Sequence, residues 1–298
     1  MSNTREATQS LARARYRRPF GGGRYTHRIV TYVAFAIFVV FVGFPFYYIV
    51  ISSFTPKNRL FQIPPSYFPV HPTLQNYESM IHAVPFTLYL RNSLIFAIGS
   101  AVVSVVASAL AAYALARIKF PGSNVVYMAL IMSAALPQMA VLVPMFELFQ
   151  SFHLVNTFQG LILMMSSLIL PFTVLILVSF IMQVPPEIEE AALIDGANLP
   201  QVLTRIVLPL ILPAISTMTM INFIISWNEL LYPLVFAQRD VTKTLSVGLI
   251  ELSSNASTYT RPWDMLSAMS VFMVMPVLVL VLVGQRMIIS GLSRGAVK

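Results

Sequence analysis

Six long stretches of apolar residues alternate with shorter polar stretches along most of the chain. They lie at residues 29–53, 92–116, 125–147, 158–182, 207–236 and 264–288. A helix that crosses a bilayer needs about 20 mostly apolar residues, and each stretch is long enough. The pattern predicts an all-α integral membrane protein with six transmembrane helices. The fifth stretch is too long for one straight helix across a bilayer, so we expect it to tilt or to have a polar end.

The composition favours lipid as the solvent of this chain. Of its 298 residues, 57% are hydrophobic and 10% are charged, whereas soluble domains are typically about 25% charged. Cysteine is absent, which excludes disulfides and thiolate metal sites. We expect no metal site, because the histidines lack the spacing of metal ligands; they are His27, His71, His82 and His153.

The first 28 residues form a basic tail with seven arginines and one glutamate. The apolar stretch after it is far longer than the core of a secretory signal, about 7–15 residues, so we expect a membrane anchor that stays. Such a tail could bind nucleic acid or anionic lipid. The positive-inside rule favours a disordered cytoplasmic tail instead, and we expect no nucleic-acid partner.

Basic residues in the connecting segments predict the orientation in the membrane. If the N-terminus lies inside, the inside segments hold 13 basic residues and the outside segments hold six, which favours cytoplasmic positions for both termini. The predicted outside loops are 54–91, 148–157 and 237–263. The predicted parts of the chain are a tail at 1–28, a six-span domain at 29–290 and a tail at 291–298.

The predicted inside loop between the fourth and fifth stretches, 183–206, is rich in carboxylates. Pro185 and Pro186 end the fourth stretch and favour the start of a new helix, since proline is tolerated in a first helical turn. Glu187, Glu189 and Glu190 then lie in that first turn, where the helix dipole favours negative charge. The sequence therefore predicts a short helix with an acidic beginning.

A turn signal follows this short helix. Asp195 and Gly196 mark a turn, and Gly196 can adopt the positive φ that ends many helices. Asn198 is suited to capping a second helix that contains Pro200 in its first turn. We therefore expect a helix, a sharp turn and another helix at the cytoplasmic surface.

The short helix has the features of a docking element. Ile188, Ala191 and Ala192 form a small apolar face at helical spacing, and small residues allow close approach of another surface. A short helix of this kind suits a groove in a partner protein. The alternative is a helix lying on lipid, but such helices are usually rich in lysine and arginine, whereas this one is acidic.

The sequence EAALIDGANLPQVLTRIVLP at 190–209 resembles the EAA loop of permease subunits in ATP-binding-cassette importers. That pattern is Glu-Ala-Ala, a glycine four residues after the second alanine, and Ile-x-Leu-Pro ten residues after the glycine. The matching residues are Glu190, Ala191, Ala192, Gly196, Ile206, Leu208 and Pro209.

Further segments resemble carbohydrate-importer permeases of the maltose and trehalose type. They are NSLIFAIGSAVVSVVASALAAYALARIKFPG (92–122), LVPMFELFQSFHLVNTFQGLIL (142–163), SWNELLYPLVF (226–236) and GLSRGAVK (291–298). The resemblance covers nearly the whole chain after residue 29. The basic N-terminal tail lies outside it.

The resemblance implies a type I importer permease fold with a cytoplasmic coupling helix in an EAA loop at about 185–209. It implies assembly with a different second permease, two ATPase subunits and an extracytoplasmic sugar-binding protein, in a bacterial or archaeal cytoplasmic membrane. The chain has no phosphate-binding loop of the Gly-x-x-x-x-Gly-Lys type, so ATP and Mg²⁺ are expected on partner subunits. The expected docking residues are Glu189, Glu190, Ala191, Ala192, Asp195, Gly196, Ala197, Ile206, Leu208 and Pro209.

A second candidate site lies in the fifth apolar stretch. Asn222, Ser226 and Glu229 share one helix face, and an ionisable group at membrane depth often marks a functional cavity. Trp227 could stack on a sugar ring or belong to an aromatic belt. A structural cap at the end of the span is the alternative. The candidate pathway or gate residues are Asn222, Ser226, Trp227, Asn228, Glu229 and Tyr232.

Two other classes of protein remain open. A secondary transporter usually has internal repeats and coupling carboxylates at membrane depth, but we find one candidate carboxylate and no repeat. A membrane enzyme needs a catalytic cluster at membrane depth, and the six stretches contain none. The resemblance points to uptake of a disaccharide or oligosaccharide, with sugar-like solutes such as glycerol phosphate as the next choice.

Overall fold

The computed structural model describes the backbone of residues 23–254 and 261–295, and side chains within 28–254 and 261–284. Most of the predicted N-terminal tail lies outside these ranges, whereas the predicted C-terminal tail at 291–298 is described up to residue 295, where it continues the last helix. The chain divides into two compact units at Ile51. The helices are α1 (Gly23–Phe54), α2 (Gln75–Ala83), α3 (Phe86–Arg117), α4 (Ser123–Ala134), α5 (Gln138–Ser151), α6 (Phe158–Ile181), α7 (Pro186–Ile194), α8 (Leu199–Val202), α9 (Leu208–Leu210), α10 (Leu212–Asn228), α11 (Leu231–Phe236), α12 (Leu245–Ser254) and α13 (Trp263–Gly295).

Four of the six predicted spans are single long apolar helices, namely α1, α3, α6 and α13. The other two differ from the prediction because each is bent. Helices α4 and α5 meet at 107°, and the segment Leu199–Leu210 meets α10 at 78°. The total is six only if each bent pair counts as one span.

Proline explains the first bend and contributes to the second. Pro137 precedes α5 with an extended backbone (φ −63°, ψ 125°), and proline disfavours helical geometry in the residue before it. Pro213 lies in the first turn of α10, and Ile211 interrupts the helix before it (φ −95°, ψ 11°). The predicted fifth span is also interrupted at Glu229, whose extended backbone ends α10.

The packed centre of the second unit is built by α3, α6 and α10. Their contacts include polar side chains as well as apolar ones. The Asn222 amide on α10 donates to Ser104 Oγ on α3 at 2.9 Å and to Thr173 Oγ1 on α6 at 3.0 Å. All three residues are buried, so these hydrogen bonds join three helices inside the bundle.

The loop predicted at 54–91 contains the short helix α2, which the sequence analysis missed. Its side chains form hydrogen bonds with residues 53–55, where the first helix ends and the loop begins. Asn76 is buried and donates to the carbonyls of Ser53 and Thr55 at 2.9 and 2.8 Å. The Tyr77 and Ser53 hydroxyls are 2.8 Å apart. These side-chain hydrogen bonds therefore fix α2 to the start of the loop.

Candidate functional site

The predicted helix between the fourth and fifth apolar stretches is α7. Pro185 is its N-cap, with an extended backbone, and Pro186 is its first residue. Glu187 and Glu189 lie in the first turn, as predicted, where carboxylates interact favourably with the helix dipole, whereas Glu190, also predicted there, follows it. The start of the helix is thus set by the proline pair and the acidic residues after it.

The turn after α7 is a Schellman motif, and it confirms the prediction for Gly196. Gly196 has φ 90°, a conformation that costs other residues about 1–2 kcal/mol. Its N–H donates to the Leu193 carbonyl at 3.1 Å, and the Ala197 N–H donates to the Ala192 carbonyl at 3.0 Å. These two bonds satisfy carbonyls that the end of a helix leaves free.

A second short helix begins immediately after the turn. Asn198 is its N-cap, and the Asn198 side chain accepts from the Gln201 N–H at 3.0 Å. The Gln201 side chain accepts in return from the Asn198 N–H at 2.9 Å, which completes a capping box. The predicted cap is therefore confirmed, and both sides of the Gly196 turn are fixed by local hydrogen bonds.

The expected docking residues divide into an exposed group and a group that is buried or partly buried. Ala192, Ala197 and Leu208 pack partly against the core that contains Tyr113 and Val202. Ile206 is half-buried and Glu189 is buried. The remaining residues present an apolar and acidic surface; they are Glu190, Ala191, Asp195, Gly196 and Pro209.

Glu189 differs from the prediction, which grouped it with the surface docking residues. The Glu189 side chain is 8% exposed and forms an ion pair with Arg117 at 2.6 Å between Oε1 and Nε. Its Oε2 accepts a hydrogen bond from the Tyr113 hydroxyl at 3.1 Å. A buried carboxylate requires such partners, so this carboxylate is not available at the surface.

Arg117 is a site residue that the sequence analysis missed. It is one of the basic residues that predict the orientation above, and its Nη2 also donates to the carbonyls of Ile181 and Val184 at 2.9 and 2.5 Å. Ile181 ends α6 and Arg117 ends α3. One guanidinium thus joins the ends of two spans to Glu189 on α7. Two features of the sequence could have indicated this contact. A basic residue ends the second predicted span, and the predicted inside loop at 183–206 is acidic.

The candidate pathway residues are mostly buried within this chain. Asn222 is held by Ser104 and Thr173, and Ser226 is fully buried. Trp227 is 2% exposed; its Nε1–H donates to the Met273 carbonyl at 2.8 Å, and its ring stacks on Phe223.

Glu229 caps a helix at the break after α10. Its Oε1 accepts from the N–H groups of Leu231 and Tyr232 at 2.8 and 3.3 Å, so it satisfies free donors at the start of α11. The Tyr232 hydroxyl is buried and donates to the Gln138 carbonyl at 3.2 Å. Asn228 is exposed and Glu229 half-exposed, so these two present polar atoms at the surface.

A second polar cluster lies at the other end of α3. The Tyr89 hydroxyl lies 3.1 Å from Asp240 Oδ1 and 2.9 Å from Glu251 Oε2, and its one proton can be donated to either carboxylate. Lys243 forms ion pairs with the same two carboxylates. The Lys243 ammonium and the Tyr89 hydroxyl hold the pKa of Asp240 below its ordinary value. Hydrogen bonds to both carboxylates raise the pKa of Lys243.

Asn92 completes this cluster from the next turn of α3. Its side-chain amide lies within hydrogen-bonding distance of the carbonyls of Asp240, Val241 and Lys243. The two ends of α3 are therefore both joined by polar contacts to segments distant in sequence. Tyr89 and Asn92, near the start of α3, contact the segment before α12. Arg117, at its end, contacts Glu189 of α7.

The bent apolar helices, the capped turn and the EAA spacing agree with one family of membrane proteins. Residues 104–294 match the family described as the binding-protein-dependent transport system inner membrane component. The chain belongs to this family. It is accordingly an integral membrane protein and a non-catalytic permease subunit of an ATP-binding-cassette transporter, in which separate subunits hydrolyse ATP.

Characterised relatives align along nearly their whole length. The sulfoquinovosyl glycerol transport system permease protein of Agrobacterium fabrum is 34% identical over 92% of this chain and 95% of its own. The trehalose/maltose transport system permease protein of Thermococcus litoralis is 31% identical over 91% and 97%. The diacetylchitobiose uptake system permease protein of Streptomyces coelicolor is 31% identical over 87% and 94%.

A solved structure shares the fold. A chain in the crystal structure of a bacterial ABC transporter involved in the import of the acidic polysaccharide alginate superposes with a TM-score of 0.79. The match covers 90% of this chain and 98% of that chain at 21% identity. The predicted class, an all-α membrane protein with the importer permease fold, is confirmed.

Proposed function

We propose that this chain forms half of the translocation pathway of an ATP-driven, binding-protein-dependent sugar importer. It would couple to an ATPase through α7 and the Gly196 turn. The observation that carries the coupling role is the solvent-exposed end of this loop, whose turn is fixed by local hydrogen bonds. Leu193, Ile194 and Asp195 are exposed on it, and Ile194 is 86% exposed. An apolar tip beside carboxylates suits a partner groove better than open water.

The proposed substrate is a disaccharide or an oligosaccharide. Support comes from relatives that are named for trehalose/maltose, diacetylchitobiose and sulfoquinovosyl glycerol. The structural neighbour is named for alginate, also a carbohydrate. These names agree on sugars but differ in size and charge, so the proposal extends to the class and not to one sugar.

The proposed assembly contains a second, different permease, two ATPase subunits and an extracytoplasmic sugar-binding protein. One chain in the crystal structure of a bacterial alginate ABC transporter in complex with an alginate pentasaccharide-bound periplasmic protein superposes on 88% of this chain with a TM-score of 0.64. ATP and Mg²⁺ would bind to the ATPase subunits, with no nucleotide on this chain. Asn222, Ser226, Trp227, Asn228, Glu229 and Tyr232 stay candidates for the pathway wall or gate.

The proposed location is a bacterial or archaeal cytoplasmic membrane, with both termini and α7 on the cytoplasmic side. This orientation places the polar cluster of Tyr89, Asp240, Lys243 and Glu251 on the outer side, where the binding protein approaches. It rests on the distribution of basic residues between the connecting segments.

The first test is purification of the tagged chain from its native membrane, followed by identification of stoichiometric partners. We expect an ATP-binding-cassette ATPase, a second permease and a sugar-binding protein whose ligand can then be screened. Recovery of this chain alone with uptake activity of its own would reject the importer and favour a secondary transporter.

The coupling role predicts the effect of two substitutions. Glu190→Lys reverses an exposed charge on the docking surface, and Gly196→Pro cannot adopt φ 90° because proline fixes φ near −65°. We expect the chain to reach the membrane but uptake to fall while ATP hydrolysis no longer responds to the loaded binding protein. Glu78→Lys, at an exposed position on α2, is the control. Normal uptake and stimulation in both variants would contradict the assignment.

A further inference from the structure

Adjacent glutamates on α7 lie in different environments. Glu190 is exposed, whereas Glu189 is buried and paired with Arg117. A short surface helix that served only as a docking surface would have no need of a buried charge, because moving a carboxylate out of water is costly. The inward carboxylate therefore requires an explanation beyond docking.

The Glu189 partners belong to one face of α3. Tyr113 and Arg117 are four residues apart, so they lie on the same side of that helix, and both contact the Glu189 carboxylate. The other nitrogen of the guanidinium contacts the carbonyls at the end of α6. A planar guanidinium can make these contacts together, whereas a lysine ammonium cannot reproduce their geometry.

We propose that Glu189, Arg117 and Tyr113 form an internal link that fixes α7 to the inner ends of α3 and α6. These three are positioning residues: they make α7 and the two spans move as one body when the docking surface is displaced. The inference rests on the proposed coupling role of α7. It goes beyond that role because it identifies how displacement of the loop reaches the packed spans.

The link predicts an uncoupled phenotype for Glu189→Gln. This change keeps the shape of the side chain and removes the charge that Arg117 pairs with. We expect the ATPase to co-purify as with the unmodified chain, while sugar transported per ATP hydrolysed falls about fivefold or more, the lower end of typical coupling between sites. Arg117→Lys should behave in the same way, because it loses the contacts to the Ile181 and Val184 carbonyls.

Glu78→Gln is the matched control. Glu78 lies on α2, outside the docking helix, is exposed, and undergoes the same chemical change. We expect its transport per ATP to equal that of the unmodified chain. An unchanged ratio in Glu189→Gln, with the ATPase bound, would overturn the link and leave the docking proposal standing. Failure of any ATPase to co-purify with the unmodified chain would overturn the docking proposal instead.

A covalent replacement separates a mechanical role from a purely stabilising one. The chain has no cysteine, so Arg117→Cys with Glu189→Cys introduces the only thiols. We expect the reduced double variant to be uncoupled, and a short bis-maleimide that joins the two thiols to restore transport per ATP. Blocked transport after joining would show that α7 and α3 must separate during the cycle, and would overturn the proposal.

Discussion

Adjacent residues in this permease can have different roles, one inside the protein and one at its surface. Glu189 neutralises Arg117 in the interior, and Glu190 remains at the surface. The change in role follows from the helix, because consecutive side chains point about 100° apart. A one-residue shift of α7 would therefore place either Glu190 or Ile188 at the buried position, and Ile188 would leave Arg117 without a charged partner.

Asn222 is another residue whose role comes from its neighbours. Its amide donates to Ser104 on α3 and to Thr173 on α6. Interhelical hydrogen bonds in membrane proteins contribute on average about 0.6 kcal/mol each and at most about 1.7. We expect Asn222→Leu to lower the free energy of unfolding by about 1–2 kcal/mol, measured by thermal denaturation in detergent.

Asn228→Leu is the control for that measurement. Asn228 is exposed and donates only to the Ile224 carbonyl of its own helix among the described contacts. It should change stability little, and an equal loss in both variants would contradict a specific role for the Asn222 hydrogen bonds.

At the scale of elements, the start of α6 shows how one glycine allows the preceding loop to pack against the first turn of the helix. Thr157 is the N-cap of α6, accepts from the Gly160 N–H at 3.0 Å and donates to the Leu154 carbonyl at 2.7 Å. The loop therefore folds directly over the first turn. A Cβ at position 160 would lie 2.0 Å from the Leu154 carbonyl oxygen, so this approach leaves no room for a side chain.

Gly160→Ala should consequently destabilise the chain by about 1–3 kcal/mol or more, as expected for overpacking that forces the backbone to shift. Gly43→Ala in α1 provides a matched comparison, because a Cβ there meets no described atom within 4 Å. Alanine is the better helix former by about 1 kcal/mol, so this variant should be neutral or stabilised. Thermal denaturation of the two purified variants measures the difference, and equal stability would contradict the predicted clash.

At the scale of the whole molecule, the sequence predicted elements better than their contacts. The long apolar helices and the capped Gly196 turn depend on local patterns, and the structure confirms them. The Arg117–Glu189 contact joins residues 72 positions apart, and Asn222–Ser104 joins residues 118 apart. A single sequence does not indicate which distant polar residues will meet, because that depends on how the spans pack.

The bends were missed for a related reason. The average hydropathy stays high across Pro137 and Ile211, so the sequence pattern predicts each bent pair as one uninterrupted span. Glu229 likewise interrupts an apolar stretch, and its role as a helix cap became visible only with the broken backbone at that position. Proline and glutamate inside an apolar run were the signals that could have indicated these breaks.

The proposed orientation of the whole chain can be tested because the chain lacks cysteine. Gln238→Cys and Glu187→Cys each place one thiol at an exposed position in a connecting segment. We expect an impermeant maleimide to label position 238 in intact cells and position 187 only after the membrane is opened. The cysteine-free chain gives the background, and labelling of position 187 in intact cells would reverse the orientation.

Polar contacts join both ends of α3 to other segments, so a tilt of this span would move the segments at both ends. Tyr89 and Arg117 are separated by about 42 Å along the axis at a rise of about 1.5 Å per residue. A rotation of α3 by about 5° about one end would then displace the other end by about 4 Å. The contact that Arg117 makes with Glu189 is 2.6 Å long. Because the proposed link keeps this contact closed, a small tilt of α3 at one membrane face would carry α7 with it by about 4 Å at the other face.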